Sequence, residues 1–410
     1  MEKRQFLSRL ASALGLGLIG QAVSQTAEAA NWKKIQSSTG AANTWKKLCL
    51  STSVAAWSTG TIKSWGYNCS GELGNNTLSC SSAPGAVSAI STAVQFAGGG
   101  NHGLALLANG CVMAWGQNDK GQIGDNTITN RSTPVLVCGI STAVFVGAGQ
   151  LSSYAVLLNG TIRSWGNNTQ GQLGVNDIVN RSSPVTMCTI VNATMVSGGN
   201  ESAVALLANG CVMAWGIGTS GQIGNSTLTS YSTPVAVCGL SSAVAVAAAL
   251  TTGGGYILSL LYNGTVRAWG CGASGQMGDN SIATRCTPVV VCCISTAIAI
   301  SAGEGHGMAL LYTGGVQAWG CNNCYRLGNS SVTDVSQPVT VCAISSAIAI
   351  AANGKNSFAL LEDTTLLGWG NSDEGEVGDG TTSSRCTPVS VSGVSNANSI
   401  AAGFCQGMTL

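Results

Sequence analysis

Between positions 91 and 116 the side chains alternate, pause and alternate again. Ser91–Gly100 carries alternating small and apolar residues and ends in glycines. His102-Gly103-Leu104-Ala105-Leu106-Leu107 reads as a strand, Asn109-Gly110 as a turn and Cys111-Val112-Met113-Ala114-Trp115 as the return strand. Asn-Gly between two apolar runs predicts a hairpin with a type I′ turn, which takes positive φ at both central residues. A polar loop follows, closed by Gly121-Gln122-Ile123-Gly124, and Pro134 then opens the run Pro134-Val135-Leu136-Val137. Proline fits the first residue of a strand, where its missing N–H costs least. The pattern predicts about four short strands per unit and no sustained helical periodicity.

The same unit recurs along the chain. Trp65, Trp115, Trp165, Trp215, Trp269, Trp319 and Trp369 are each followed by glycine, at intervals of 50, 50, 50, 54, 50 and 50 residues. All 7 prolines stand nineteen residues after one of these tryptophans. A period of this size signals a repeat architecture. The Asn-Gly turn returns at Asn159-Gly160, Asn209-Gly210 and Asn263-Gly264, and the loop closure at Gly171–Gly174 and Gly221–Gly224. Glu72 and Glu376 replace the glutamine of that closure, and the sixth copy departs with Tyr325-Arg326-Leu327-Gly328. The interval of 54 reflects an insertion around Thr251-Thr252-Gly253-Gly254-Gly255. It interrupts the apolar stretch from Ser242 to Tyr262, which therefore reads as strands and not as a membrane span.

Seven units of four strands predict an all-β, seven-bladed propeller, which protects its sheet edges by radial closure. A solenoid is the alternative. Ala402–Leu410 favours the ring, because it reproduces the start of a unit and Met408-Thr409-Leu410 aligns with Met308-Ala309-Leu310. The expected organisation is an export signal at 1–29, a short segment at 30–44, and a propeller over 45–410 whose C-terminal strand closes the first blade.

Composition narrows the partners. Only 8% of residues are charged and the net charge is +1, against about 25% charged in an ordinary soluble domain. Seventeen basic residues offer little to a phosphate backbone, so no nucleic-acid partner is expected. Lys3 and Arg4, the apolar stretch Leu10–Val23 and the site Ala27-Glu28-Ala29 together read as an export signal. Lys3-Arg4-Gln5-Phe6-Leu7 is similar to a twin-arginine signal with lysine in the first position; general secretory export is the alternative. The mature chain is expected in the periplasm, at the cell surface or outside the cell, as a monomer without a transmembrane anchor.

The chemistry-bearing residues read mostly as scaffold. The repeat tryptophans are expected to pack between blades, and Trp32, Trp45 and Trp57 at the closure seam. His102 and His306 occupy one column four blades apart, too far to converge on a metal or to serve a nucleophile. Cys138, Cys188, Cys238, Cys292 and Cys342 share a column, as do Cys111 and Cys211, and Cys286 and Cys386. The recurring spacing of 27 makes Cys111–Cys138 and Cys211–Cys238 candidate disulfides in an exported chain. The competing reading is that the thiols are small core residues. Cys321-Asn322-Asn323-Cys324 is a lone C-x-x-C, a weak redox or zinc signal. Asp125, Asp279 and Asp379 follow a loop glycine singly, too few for a calcium cage. No catalytic, cofactor-binding or metal residue is assigned, and no cofactor is expected.

Gly99-Gly100-Asn101-His102 to Gly124, and Glu304-Gly305-His306 to Gly320, carry a G-x-x-H strand, a turn, a Trp-Gly strand end and an N-x-x-G-Q-L-G loop. In these the chain resembles the regulator of chromosome condensation (RCC1-like) repeats over about residues 41–410, as an exported bacterial member. The resemblance implies a seven-bladed propeller and leaves activity open, because a fold hosts many functions. The expected function is an exported, non-enzymatic scaffold that binds a protein partner through loops on one face. The post-tryptophan loops and the insertion Leu250–Tyr256 are the expected contact positions. Alternatives are a secreted enzyme inhibitor, a carbohydrate-binding protein and, last, a guanine-nucleotide exchange factor.

Overall fold

The computed structural model describes residues 60–251, 254–404 and 406–410. The expected export signal at 1–29, the segment 30–44, and Trp32, Trp45 and Trp57 lie outside them. The described residues form 28 strands in seven four-stranded antiparallel sheets, and none forms a helix able to cross a membrane. Blade 1 holds β1 (Lys63–Gly66) and β2 (Ser81–Ala86). Blade 2 is built from β3 (Ala93–Gly98), β4 (His102–Leu107), β5 (Val112–Gly116) and β6 (Arg131–Leu136). Blades 3 to 7 repeat that meander over 143–186, 193–236, 243–290, 297–340 and 347–390.

Two C-terminal strands, Ile400–Gly403 and Gln406–Thr409, supply the inner half of blade 1. The second pairs with β1 in the register Lys63↔Thr409 to Gly66↔Gln406. Closure thus joins the two ends of the described chain in one sheet, and the disc is a propeller and not a solenoid.

Two local expectations need correction. The hairpin between β4 and β5 has positive φ at Gly110 but not at Asn109. The Gly110 N–H bonds to Leu107 O, and the Leu107 N–H to Cys111 O. The turn is therefore a three-residue loop with one left-handed position, and not type I′. Thr364 takes the same left-handed role, at φ 72°, where the seventh blade lacks the glycine. Pro134 is not the first residue of its strand but the fourth of β6. It is accommodated because β6 is the outer edge strand and its register with β5 shifts between Gly116↔Arg131 and Ala114↔Val135, and edges and bulges are where proline fits.

The tryptophans hold the ring. All seven are fully buried. Each indole Nε1 donates to a loop carbonyl of the preceding blade: Trp115 to Glu72 O, Trp165 to Gln122 O, and so on round to Trp65 and Glu376 O, at 2.7–2.9 Å. A second ring uses main chain alone, from Asn76 N to Ser132 O through to Gly380 N to Ser82 O, seven bonds of 2.8–3.1 Å. Burying an indole removes roughly 150–250 Å² from water, on the order of 4–6 kcal/mol before entropy is counted. The glycines of the closure make room for it. A Cβ on Gly124, at φ +77°, would stand 2.7 Å from Trp165 Nε1.

Candidate functional site: the loop face

β5 ends, and the turn between β3 and β4 lies, at the same end of every blade, so the post-tryptophan loops and these inner turns form one face of the disc. A buried asparagine organises the loop. Asn118 Oδ1 accepts the Ile123 N–H at 2.9 Å, while Nδ2 donates to Thr127 O and Thr129 O. Asn68, Asn168 and Asn322 make the equivalent bond to Leu73, Leu173 and Leu327. Asp125 accepts Thr127 N–H and pairs with Arg131; Asp279 and Asp379 pair with Arg285 and Arg385. These aspartates are loop clamps. Burial pushes the Asp379 carboxyl up, but hydrogen bonds from Thr381 and Arg385 outweigh it and hold the group below its usual value.

The clamped loops present apolar tips. Leu78, Ile128, Ile178, Leu228, Ile282 and Val332 share one column and are 55–69% exposed. Only the seventh member, Thr382, is polar. Each tip lies three residues before an outer strand, so the six form a ring at the outer margin of the loop face. The sequence reading expected contacts from the post-tryptophan loops but singled out none of these residues, although each stands thirteen residues after a repeat tryptophan.

Two cavities of about 230 Å³ open on the same face, each at a seam between blades. The cavity between blades 4 and 5 is lined by Glu201, Ser202, Thr219, Gln222, Thr251 and Gly255 among others. The insertion thus supplies a wall, while Leu250 and Tyr256 at its ends are buried and present nothing to solvent. Tyr256 Oη donates across the following seam, between blades 5 and 6, to His306 O and Gly303 O. The cavity between blades 7 and 1 is lined by Lys355, Asn356, Asn371, Asp373, Glu374, Glu376 and Phe404. Glu376 is buried, and its Oε2 accepts the Glu374 N–H at 2.9 Å. Burial, then the carboxylates of Asp373 and Glu374, raise its pKa above the usual glutamate value.

The histidines sit deep in the seams. His102 Nε2 meets Ser153 Oγ of the next blade at 2.8 Å, and Ser153 Oγ donates to Gln122 O at 2.8 Å. His306, Ser357 and Arg326 O repeat the arrangement. The serine proton is committed to a carbonyl, so Nε2–H is the donor to Oγ, and Nδ1 has no partner. An activated nucleophile needs the opposite polarity, with a carboxylate on Nδ1. Both pairs are fully buried and structural. Burial lowers the His102 pKa to about 4; burial and then the Arg326 charge lower that of His306 to about 3.

All fifteen described cysteines are free thiols. The candidate bridges Cys111–Cys138 and Cys211–Cys238 are not formed. Cys111 and Cys138 stand just beyond the paired ends of β5 and β6, and the Cys138 N–H turns to Gly124 O, taking the chain out of the ladder. In the C-x-x-C pair, Cys321 Sγ lies 3.4 Å from Asn323 Oδ1. Among the described residues no three His, Cys, Asp or Glu side chains are grouped to hold a metal ion.

The regulator of chromosome condensation (RCC1) repeat model matches residues 59–106, 109–156, 159–206 and 263–310, and a second model of the same repeat matches 93–122 and 297–326. The chain belongs to this family. Comparison with curated protein sequences finds no match. Among solved structures, this RCC1 propeller is similar to human WBSCR16, at 19% identity and TM-score 0.76 over 85% of this chain and 98% of that one. It is also similar to Prp20p from Saccharomyces cerevisiae, in a structure described with binding properties to Gsp1p and histones, at 22% identity and TM-score 0.75 over 88% and 92%. Yeast RCC1 (Prp20) bound to Kap60 gives 21% identity and TM-score 0.76 over 93% and 96%. At these identities the likeness establishes the RCC1 fold alone.

Proposed function

We propose that the protein is an exported, non-enzymatic scaffold that holds a protein partner on the loop face of its propeller. The observation that carries this reading is the ring of six exposed aliphatic side chains, one on each of blades 1 to 6, with a buried asparagine bracing four of their loops and an Asp–Arg pair bracing three. Exposed branched aliphatics cost solubility, and covering one yields roughly 1.5–3 kcal/mol. Rigid loops lose little entropy on binding, so more of that gain survives as affinity. The described likeness of Prp20p, with its binding to Gsp1p and histones, supports a protein-binding use of this architecture without carrying those partners over.

The test is affinity capture from envelope and extracellular fractions with the chain from residue 30 onward, read by mass spectrometry. Ile128→Asp, Ile178→Asp and Ile282→Asp together should abolish a partner captured by the unaltered protein. Leu158→Asp with Val191→Asp, outside the loop ring, should leave it bound. Capture that survives the ring substitutions sinks the reading, and so does retention on glycan alone.

A further inference from the structure

We propose that the cavity between blades 4 and 5 binds a small free α-amino acid; this goes beyond the scaffold reading and does not rest on it. The cavity holds about 230 Å³, room for about seven or eight waters at ~30 Å³ each. That is below the roughly 300–1,000 Å³ of sites for drug-sized molecules and suits a smaller ligand. The wall is polar, with Asn200, Glu201, Ser202, Thr219, Gln222 and Thr251. Ile217 is its one large apolar residue, and among the described residues no aromatic ring lines it.

Three polar groups of this wall are left unfilled. Thr251 is 8% exposed, and its buried Oγ1 has no hydrogen-bond partner. At four seams the inner turn of one blade donates a main-chain N–H to the inner turn of the next: Phe404 to Gly99 O, Gly100 to Gly149 O, Gln150 to Gly199 O and Glu304 to Gly354 O, at 2.9–3.2 Å. The Asn200 N–H holds the same place at the seam where the insertion falls, and there it has no main-chain acceptor among the described residues. Gln222 is 2% exposed, and its Oε1 accepts the Ser220 N–H at 2.8 Å. That bond fixes the orientation of the amide and leaves its N–H groups as the free end. Buried donors without acceptors are costly and mark a place where an acceptor is missing.

Charge selects the ligand. The unfilled groups are all uncharged donors, and an α-carboxylate brings two oxygens that each accept more than one hydrogen bond. A carboxylate alone would be repelled by Glu201, which is half-buried on the same wall and forms no ion pair. An ammonium on the neighbouring carbon turns that repulsion into attraction. A sugar would leave Glu201 without a cation and find no aromatic face to lie on. The cavity between blades 7 and 1 carries Glu376 where this one carries Gln222, so it repels the carboxylate end and serves as an internal control.

The experiment titrates the protein with L-serine, followed by NMR and calorimetry. Beside it run lactate, which lacks the ammonium, ethanolamine, which lacks the carboxylate, and glucose. L-Serine should bind with a dissociation constant in about the millimolar range, shifting the Ser202 and Thr251 amide signals and leaving that of Phe404 unmoved. Lactate and ethanolamine should bind at least tenfold more weakly, and glucose not at all. Gln222→Glu should abolish binding while the fold is kept, since Glu72 and Glu376 occupy that position in blades 1 and 7. Glu201→Gln should weaken binding about tenfold and Thr251→Val about threefold. The proposal is overturned by no binding of L-serine, by lactate or ethanolamine binding equally well, by glucose binding in its place, or by indifference to Gln222→Glu.

Discussion

The seams between blades 4 and 5 and between blades 7 and 1 are built to one plan and differ in charge. At each, an indole Nε1 donates 2.9 Å to a loop carbonyl, Trp269 to Gln222 O and Trp65 to Glu376 O. At each, a cavity of the same size opens where an atypical inner turn meets the loop. The side chain at the shared position is glutamine in one and glutamate in the other. The difference teaches where the constraint lies. The ring is held through the main-chain oxygen of that residue, so its side chain is free to diverge. Blade 6 takes this furthest, with Arg326 turned to Glu304 while its carbonyl still receives Trp369.

If both seams are held alike, Trp269→Ala and Trp65→Ala should each lower stability by about 3–5 kcal/mol, measured by denaturant unfolding. A much smaller loss at Trp65 would mean that the closure seam is looser than the rest.

Acid should strike the seams that carry histidine. A depressed folded pKa means the neutral form is favoured, so this stability is present above the ordinary value of 6.5 and is lost as pH falls through about 4 for His102 and about 3 for His306. Full titration costs roughly 3 kcal/mol at His102 and roughly 5 kcal/mol at His306. Unfolding followed from pH 7 to pH 3 should show a steep loss that His102→Gln makes shallower.

The carboxylate seams should behave in the opposite sense. Burial raises the Glu72 pKa, and its Oε1 has no partner. A raised folded pKa favours the protonated form, so stability is greatest below the ordinary value of 4.5 and falls as pH rises through the folded one. Glu72→Gln should therefore stabilise at pH 7 by about 1 kcal/mol, with the gain vanishing near pH 4. A uniform gain at all pH values would trace it to packing instead of charge.

Much of the fold was legible because it rests on local periodicity. The Trp-Gly ends, the hairpin turns and the recurring Gly-x-x-Gly closure name the strands and their number. What escaped reading was non-local or carried by the main chain. The acceptor of each indole is a carbonyl, which every residue possesses. The acidic cavity combines Lys355 to Glu376 with Phe404 across a closure that only the ring creates. The aliphatic ring at Ile128 and its equivalents sits in loops, where an apolar residue reads as either buried or incidental. Pro134 misled because its tolerance comes from the bulge at β6, a property of pairing and not of the strand's own sequence.

The joining of β1 to Gln406–Thr409 also sets an order in time. Ribosomes deliver residues singly, and domains fold as units when their residues become available. Blades 2 to 7 are each continuous in sequence and can take shape during synthesis. Blade 1 cannot be completed in this way, because Lys63 pairs with Ala86 on one side and with Thr409 on the other. β1 can pair with β2 early, but its other edge must wait for Gln406–Thr409, which is made only after blades 2 to 7, so the ring closes after its other blades can have formed.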